Sequence, residues 1–541
     1  MRLLSKTVLI FIFLLSSQNL ILNAMDDDFH SSSIENASSN DANGLKKFPE
    51  LNLDYYPCPG NEALQQLNET QLYELAEYYK LSVDQLINIL KNDSSLWVEE
   101  YALLYMDNFP TYSDGEEIDL INLEIPLEDT FKLHSKAGSK KVIHLDFDGY
   151  TLTPGHRHSP IKAPPRILEP FNNIGLSDTF TDDELRQIQL IWQMVAEDFA
   201  AFDIDVTTED PGYDALYRTD LSDDRYGVSA VITDTFASPF GFNAEAVTDS
   251  FATIGPNKNI FGPALIYSRA AIGPRFIYPQ RLAEFTSHEL GHTLGLNHHG
   301  QTPNSEYYNG HADWAPIMGR AQVGFLINRN LVSQWSKAEY ANPSNPGQND
   351  YQRMITVSDV SLRADDHSNF FGNATELLPS TQFGHIDGTN SNSSSPSSIF
   401  DNSLPIDSIN RIYNTDARGI IERDTDIDMF KFSTSGGLLS LDFLTVKNFP
   451  NLDIEVKLYK ENIQGPFSAL PNSYDLILTK NDPNDMSATI SRYLEPGTYY
   501  ISLDGVGKGD PMVDGYTDYG SRGFYRIKGT LPPPLTAHIN N

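Results

Sequence analysis

The chain has 541 residues, 40% of them hydrophobic and 21% charged, with a formal net charge of −35 and one cysteine. That length exceeds a single hydrophobic core and predicts two to four domains. The acidic balance repels nucleic acid and anionic lipid, which excludes both as main partners. The surplus of carboxylates leaves Ca2+ open as a cofactor, with no site assigned. A lone Cys58 excludes an intramolecular disulfide and a thiolate zinc cluster.

Arg2 and Lys6 precede an apolar run from Val8 to Leu15, followed by Leu22-Asn23-Ala24 and then acidic residues. This charged, apolar, small-residue order predicts a secretory signal over residues 1–24 and an extracellular protein. The run is too short to span a bilayer, and no later stretch is long enough, so no membrane span is expected. Residues 25–48 are polar, and 62–108 read as helical. Asn68 stands as a cap before Leu72, Leu75, Tyr79 and Leu81, and a second helical segment runs from Asp84 to Leu90. Residues 25–138, disordered and then helical, are expected to be a propeptide, so that the chain would be a zymogen; a permanent helical module is the alternative.

From residue 139 the pattern is α/β. Val142 to Phe147 reads as a strand. Thr181-Asp182-Asp183-Glu184 is a capping box for a helix running to about Phe199. Asp203–Thr207, Val228–Ile232 and Ala264–Tyr267 read as further strands. After about residue 360, short apolar alternations replace helical periodicity, at Asp428–Phe432, Leu438–Phe443, Ile454–Tyr459, Tyr499–Leu503 and Phe524–Ile527. They predict an all-β sandwich. Gly388–Ser398 is low-complexity and reads as a linker.

The chemistry concentrates in His288-Glu289-Leu290-Gly291-His292-Thr293-Leu294-Gly295-Leu296-Asn297-His298. Histidines four apart on a helix share a face and can hold one ion. Glu289 lies about 100° round from His288, where it can act as general base without being a ligand. Gly295 permits the turn that returns His298 to the metal. Three imidazoles leave a tetrahedral position open, the catalytic arrangement of Zn2+. His299 is a competing third ligand. His144, His156, His158 and His311 read as surface or core histidines. Asp146/Asp148 and Asp426/Asp428 read as turn and strand-end solvation.

At these residues the sequence resembles the metzincin zinc metalloproteases of secreted bacterial type. The resemblance implies one catalytic Zn2+ on His288, His292 and His298, with Glu289 as base, in an endopeptidase acting on protein or peptide substrates. It also implies a methionine turn under the metal. Met318, twenty residues after His298 in Ala315-Pro316-Ile317-Met318-Gly319, fits that turn as a floor and not as a ligand. Arg320 stands where some metzincins have a tyrosine near the metal. The substrate is expected to extend along an edge strand, to which Ala244–Thr253 is a candidate contributor. Cys58 is a candidate latency switch, since some metzincins are held shut by a propeptide cysteine. Residues 361–530 resemble the pre-peptidase C-terminal domain at Asp426-Ile427-Asp428-Met429-Phe430, Gly497-Thr498-Tyr499-Tyr500 and Asp518-Tyr519-Gly520-Ser521.

The expected architecture is therefore multidomain. A small helical N-terminal pro-region precedes a metzincin-like α/β (α+β) catalytic domain over 139–360. An all-β sandwich over 361–532 and a tail over 533–541 follow. The alternative function is a non-catalytic secreted protein on a metzincin scaffold, whose C-terminal domain binds a surface or matrix.

Overall fold

The computed structural model describes residues 48–108, 123, 125–153, 165–171, 179–235, 242–254, 262–268, 279–303, 306–320, 332–378, 414–462 and 472–535. The signal segment, the linker Gly388–Ser398, His156 and His158 lie outside them. The fold is mixed α/β with a β-rich C-terminal region. No helix of the described residues is long and apolar enough to cross a membrane.

The N-terminal unit opens with β1 (Cys58–Pro59) and three short helices, α1 (Gly60–Gln66), α2 (Glu69–Tyr78) and α3 (Val83–Asn92). Reciprocal capping boxes start two of them, Asn68 with Gln71 and Ser82 with Gln85. Leu75, Leu86 and Leu90 face a common core. Helix ends at Asn92, not at 108 as the sequence suggests. Residues beyond it form β2 (Leu96–Val98) and β3 (Leu103–Asp107). All five residues of β3 are buried, so its apolar run carries no alternation to mark it as a strand.

β1, β2 and β3 extend the sheet of the central region. That region contributes β4 (Lys141–Asp146), β7 (Ile204–Thr207), β8 (Tyr226–Thr233), β9 (Ala244–Val247) and β10 (Ala264–Tyr267), with a small hairpin of β5 (Tyr150–Leu152) and β6 (Arg166–Leu168) beside it. The eight-stranded order is β1-β2-β3-β9-β10-β8-β4-β7. β7, β4, β8 and β10 are mutually parallel, while β9 is antiparallel to β10 and β3 antiparallel to β9. The parallel strands are apolar on both faces because both are covered. Ala230, Ile232, Ala264 and Ile266 face α4 (Asp182–Asp198) and α6 (Pro279–Thr293). Alternate residues Val231, Leu265 and Tyr267 pack with Leu152 and Leu168 of the hairpin.

α4 begins at the expected capping box of Thr181 and Glu184, and its Trp192 Nε1 donates to the Val206 carbonyl at 2.9 Å. The short α5 (Tyr213–Leu216) precedes β8. A two-stranded parallel pair, β11 (Trp314–Pro316) with β12 (Val332–Gln334), and α7 (Asp350–Ser358) complete the region.

The C-terminal region has one sheet ordered β13 (Thr375–Glu376), β15 (Ile427–Thr434), β20 (Gly497–Gly505), β17 (Ile454–Asn462), β18 (Ser473–Lys480). A second is ordered β14 (Asn414–Ile421), β21 (Gly523–Thr530), β16 (Gly437–Thr445), β19 (Ala488–Leu494). Alternate residues of both sheets, including Leu439, Leu441, Phe443, Ile454, Val456, Leu458, Ile501 and Leu503, share one core. This sandwich is fastened to α4. Glu197 accepts the backbone N–H groups of Asn451 and Phe524, each at 3.2 Å, and Asp198 accepts the Asn451 side chain at 2.8 Å. Ile420, Tyr519 and Phe524 belong to the same core cluster as α4 and α6.

Candidate metal centre

The second and third histidines are placed by the end of α6. Leu296 N–H donates to the Gly291 carbonyl and Gly295 N–H to the His292 carbonyl, the paired bonds of a Schellman turn. Gly295 sits at φ +89°, and a Cβ there would lie 2.5 Å from Val357 Cγ1, so the position is closed to other residues on two grounds. The chain reverses, and His298 comes back to His288 and His292.

Hydrogen bonds fix the tautomers. His288 Nδ1 lies 2.8 Å from the Ile317 carbonyl and His292 Nδ1 2.8 Å from the Leu296 carbonyl. A carbonyl only accepts, so each Nδ1 carries the hydrogen and each Nε2 turns a lone pair inward. His298 Nδ1 donates to Asp93 Oδ2 at 2.9 Å. The Nε2 atoms of His292 and His298 are 3.1 Å apart. Met318 is fully buried beneath. Its Sδ would be 2.4 Å from a Cβ on Gly291, so that glycine is what lets the methionine seat against α6.

The structure brings in a fourth group that sequence reasoning missed. Asp107, the last residue of β3, is completely buried, with Oδ2 3.4 Å from His292 Nε2 and 3.7 Å from His288 Nε2. Its Oδ1 is 3.5 Å from His298 Nε2 and accepts the Tyr307 hydroxyl at 2.6 Å. One ligand atom from each of Asp107, His288, His292 and His298 lies within 4.8 Å of the others. Three imidazole nitrogens and one carboxylate oxygen in a dry pocket are a donor set that fits a zinc-type cation. Nothing in the local sequence of Asp107 marks it. Only the pairing of β3 with β9 delivers it to the site.

The electrostatics agree with that fit. Burial pushes His288 well below its ordinary value, helped by the neighbouring His292 and His298. Burial also pulls on His298, but Asp93 and Asp107 outweigh it and raise that imidazole to about 10. Burial alone would raise the Asp107 carboxyl, yet the imidazoles of His298 and His292 hold it well below the usual carboxylate range. Two buried carboxylates facing imidazoles call for positive charge, which a proton or a divalent ion can supply.

The remaining residues sort cleanly. Glu289 is buried on α6 next to His288 and outside the group of ligand atoms. His299 turns away, its Nε2 3.0 Å from Asp350 Oδ1. Arg320 reaches the Asn108 carbonyl at 3.2 Å and lies over the Tyr307 ring. The tyrosine hydroxyl beside the histidine group is that of Tyr307, which bonds Asp107, and not one from a residue after Met318. Cys58 is fully buried in the N-terminal core, with its Sγ near the Pro59 carbonyl and Gln66. The place beside the histidines belongs to Asp107.

Several residues of the N-terminal unit contact the site and the strand beside it. β3 pairs with β9 from Leu104–Val247 to Asp107–Ala244, on the edge expected for substrate. Tyr105 stacks on His292 with centroids 3.8 Å apart and donates to Asn297 Oδ1 at 3.1 Å. Glu306 accepts from the Ser94 hydroxyl and the Ser95 N–H, both at 2.8 Å.

No family model matches the chain, and no curated protein matches it. Among solved structures, the pre-peptidase C-terminal domain of a collagenase from Bacillus anthracis is similar at 13% identity and a TM-score of 0.14, over 21% of this chain and 87% of that one.

Proposed function

We propose that the chain is a secreted zinc endopeptidase of metzincin type, held latent by its own N-terminal unit. The observation that carries this reading is the convergence of three tautomer-fixed imidazoles beside a buried glutamate. His288, His292 and His298 would hold the zinc, which supplies an electrophile that polarises a scissile carbonyl and acidifies water. Glu289 takes up the water's proton and returns it to the leaving amide nitrogen. Tyr307, relieved of Asp107, offers its hydroxyl to the oxygen that gains negative charge. β9 accepts an extended peptide by strand addition once β3 has left.

Latency follows from two substitutions. β3 takes the place of the peptide on β9, and the Asp107 carboxylate would join the three histidines in holding the zinc. Secretion rests on the charged, apolar, cleavable order of residues 1–24. The test is cleavage of casein by full-length and N-terminally processed protein, with and without chelator, and after zinc is restored. Chelator-sensitive cleavage by the processed form is expected. A processed, zinc-loaded protein that cleaves no protein substrate refutes the reading. Glu289→Gln should keep zinc and lose activity; full activity in that variant sinks the mechanism.

A further inference from the structure

The loop that follows β16 in the sandwich reaches the groups around His288. Asn451, in that loop, is buried and bonded on three sides. Its backbone N–H donates to Glu197 at 3.2 Å, and its side-chain Nδ2 donates to Asp198 Oδ1 at 2.8 Å. Its carbonyl accepts Gln334 Nε2 at 2.5 Å. Two hydrogen-bonded routes lead from these contacts to His288.

The first runs through Gln334, the last residue of β12. Its Oε1 accepts the Trp314 indole N–H at 3.0 Å, and an indole N–H only donates, so the orientation of the amide is fixed. Its backbone carbonyl accepts the Ile317 N–H at 2.9 Å, and the Ile317 carbonyl in turn accepts His288 Nδ1 at 2.8 Å. The second route runs through Asp198, at the end of α4. Its Oδ2 accepts the hydroxyl of Ser287, which precedes His288 on α6, at 2.5 Å. The Asp198 carbonyl also accepts Trp335 Nε1 at 2.6 Å, and that ring lies against Gly291, the position that seats Met318. Gly520 allows the close approach from the sandwich side: a Cβ there would lie 2.7 Å from Gln334 Cβ and 2.9 Å from the Trp335 carbonyl. Gln334, Ile317, Ser287 and Trp335 are all buried, so bulk water does not readily replace a lost partner.

We propose that Asn451 and Gln334 are positioning residues for the metal centre, so that the β-sandwich is a working part of the peptidase. The inference rests on the zinc reading above. Neither residue is one of the metal-ligating groups. They act by fixing the carbonyl that aims His288 and the serine that precedes it. Loss of such an outer partner weakens metal binding by about 10- to 100-fold.

The experiment uses full-length protein loaded with zinc or cobalt. It reads zinc release to a coloured chelator and the cobalt absorption band. Gln334→Met keeps the side-chain length and removes both amide bonds. Asn451→Ala removes the Asp198 bond but keeps both backbone bonds of that residue, so it should fold even where Gln334→Met does not. Tyr519→Phe is the control. It removes two other links from the sandwich to the start of α7, a bond to Asn349 Oδ1 at 2.8 Å and one from the Tyr351 N–H at 3.0 Å. Both test variants should release zinc at least tenfold faster than wild type and shift the cobalt band. Tyr519→Phe, with a comparable loss of thermal stability, should match wild type in both readings. Test variants that release zinc within twofold of wild type with an unchanged cobalt band overturn the inference, and so does a Tyr519→Phe that releases zinc as fast as they do. A wild type that takes up neither metal overturns the zinc reading itself and this inference with it, which separates the two failures.

Discussion

Replacing Asp107 by alanine should turn the uncut chain from inert to active. Asp107 is completely buried, faces all three imidazole Nε2 atoms at 3.4–3.7 Å and holds the Tyr307 hydroxyl at 2.6 Å. Breaking a buried charge pair costs about 3–5 kcal/mol, which is roughly a 100- to 5,000-fold shift in the balance between closed and open forms. The variant keeps the strand contacts. Leu103 O still accepts Thr248 N–H at 3.0 Å, and the Tyr105 ring still stacks on His292. The gain therefore raises the open fraction without freeing the site completely. The assay is hydrolysis of a quenched fluorescent peptide by full-length protein before any processing. At least 100-fold more activity than uncut wild type is expected, and Cys58→Ser should match wild type. Cobalt substituted for zinc gives a second reading. The absorption spectrum of uncut Asp107→Ala should differ from that of uncut wild type, because a carboxylate ligand has gone. An uncut Asp107→Ala that is as inert as wild type, and has the same cobalt spectrum, refutes the latch even if the processed enzyme is fully active.

Tyr307→Phe should lower kcat of the processed enzyme by about 10²-fold with little change in KM, the loss typical of one oxyanion donor. Gly291→Ala puts a methyl 2.4 Å from Met318 Sδ and 3.2 Å from Trp335, so thermal unfolding should show a loss of about 1–3 kcal/mol from overpacking. Deleting residues 361–541 strips Asn451 and Phe524 from Glu197 and exposes the apolar face that Ile420, Tyr519 and Phe524 cover, so the truncated chain should be insoluble or lack a cooperative transition. For the sandwich carboxylates, the folded pKa of Glu422 is raised, so the folded state keeps a proton that the unfolded state gives up above about 4.5. Stability to denaturant should therefore fall as pH rises from about 5 to 8, with Asp365, Asp366, Asp426 and Asp428 opposing ionisation and Arg363 and Arg423 favouring it; a flat profile over that range counts against a protonated, buried Glu422.

The histidine site was legible because its geometry is local. Two of the histidines share a helix face, the third follows a glycine turn, and each step is written in adjacent residues. Local signals also served α2, α3 and α4, whose capping residues lie three apart. Asp107 was illegible because it reaches the site through pairing with β9, some 140 residues away, and no periodicity encodes that register. β18 escaped for a different reason. It is an edge strand with no buried side chain, so it lacks an apolar face to read. β2 and β3 were hidden by the helical pattern before them and by uninterrupted apolarity within β3.

On the proposed reading, the N-terminal latch and a bound metal would stabilise one another. Asp93, which takes the Nδ1 hydrogen of His298, belongs to the N-terminal unit, as do Asp107 and the Tyr105 ring on His292. The closed form would thus give a bound cation an extra ligand in Asp107 and gives His298 a carboxylate partner that strengthens its basicity; both would be lost if the unit left. Affinity coupling is reciprocal. If the N-terminal unit tightens zinc, zinc must tighten the N-terminal unit by the same factor. Chelation therefore does two opposing things: it removes the electrophile, and it loosens the segment that covers the site. A metal-free chain should be cut between its N-terminal unit and its catalytic region faster than a zinc-loaded one, although it can cleave nothing itself.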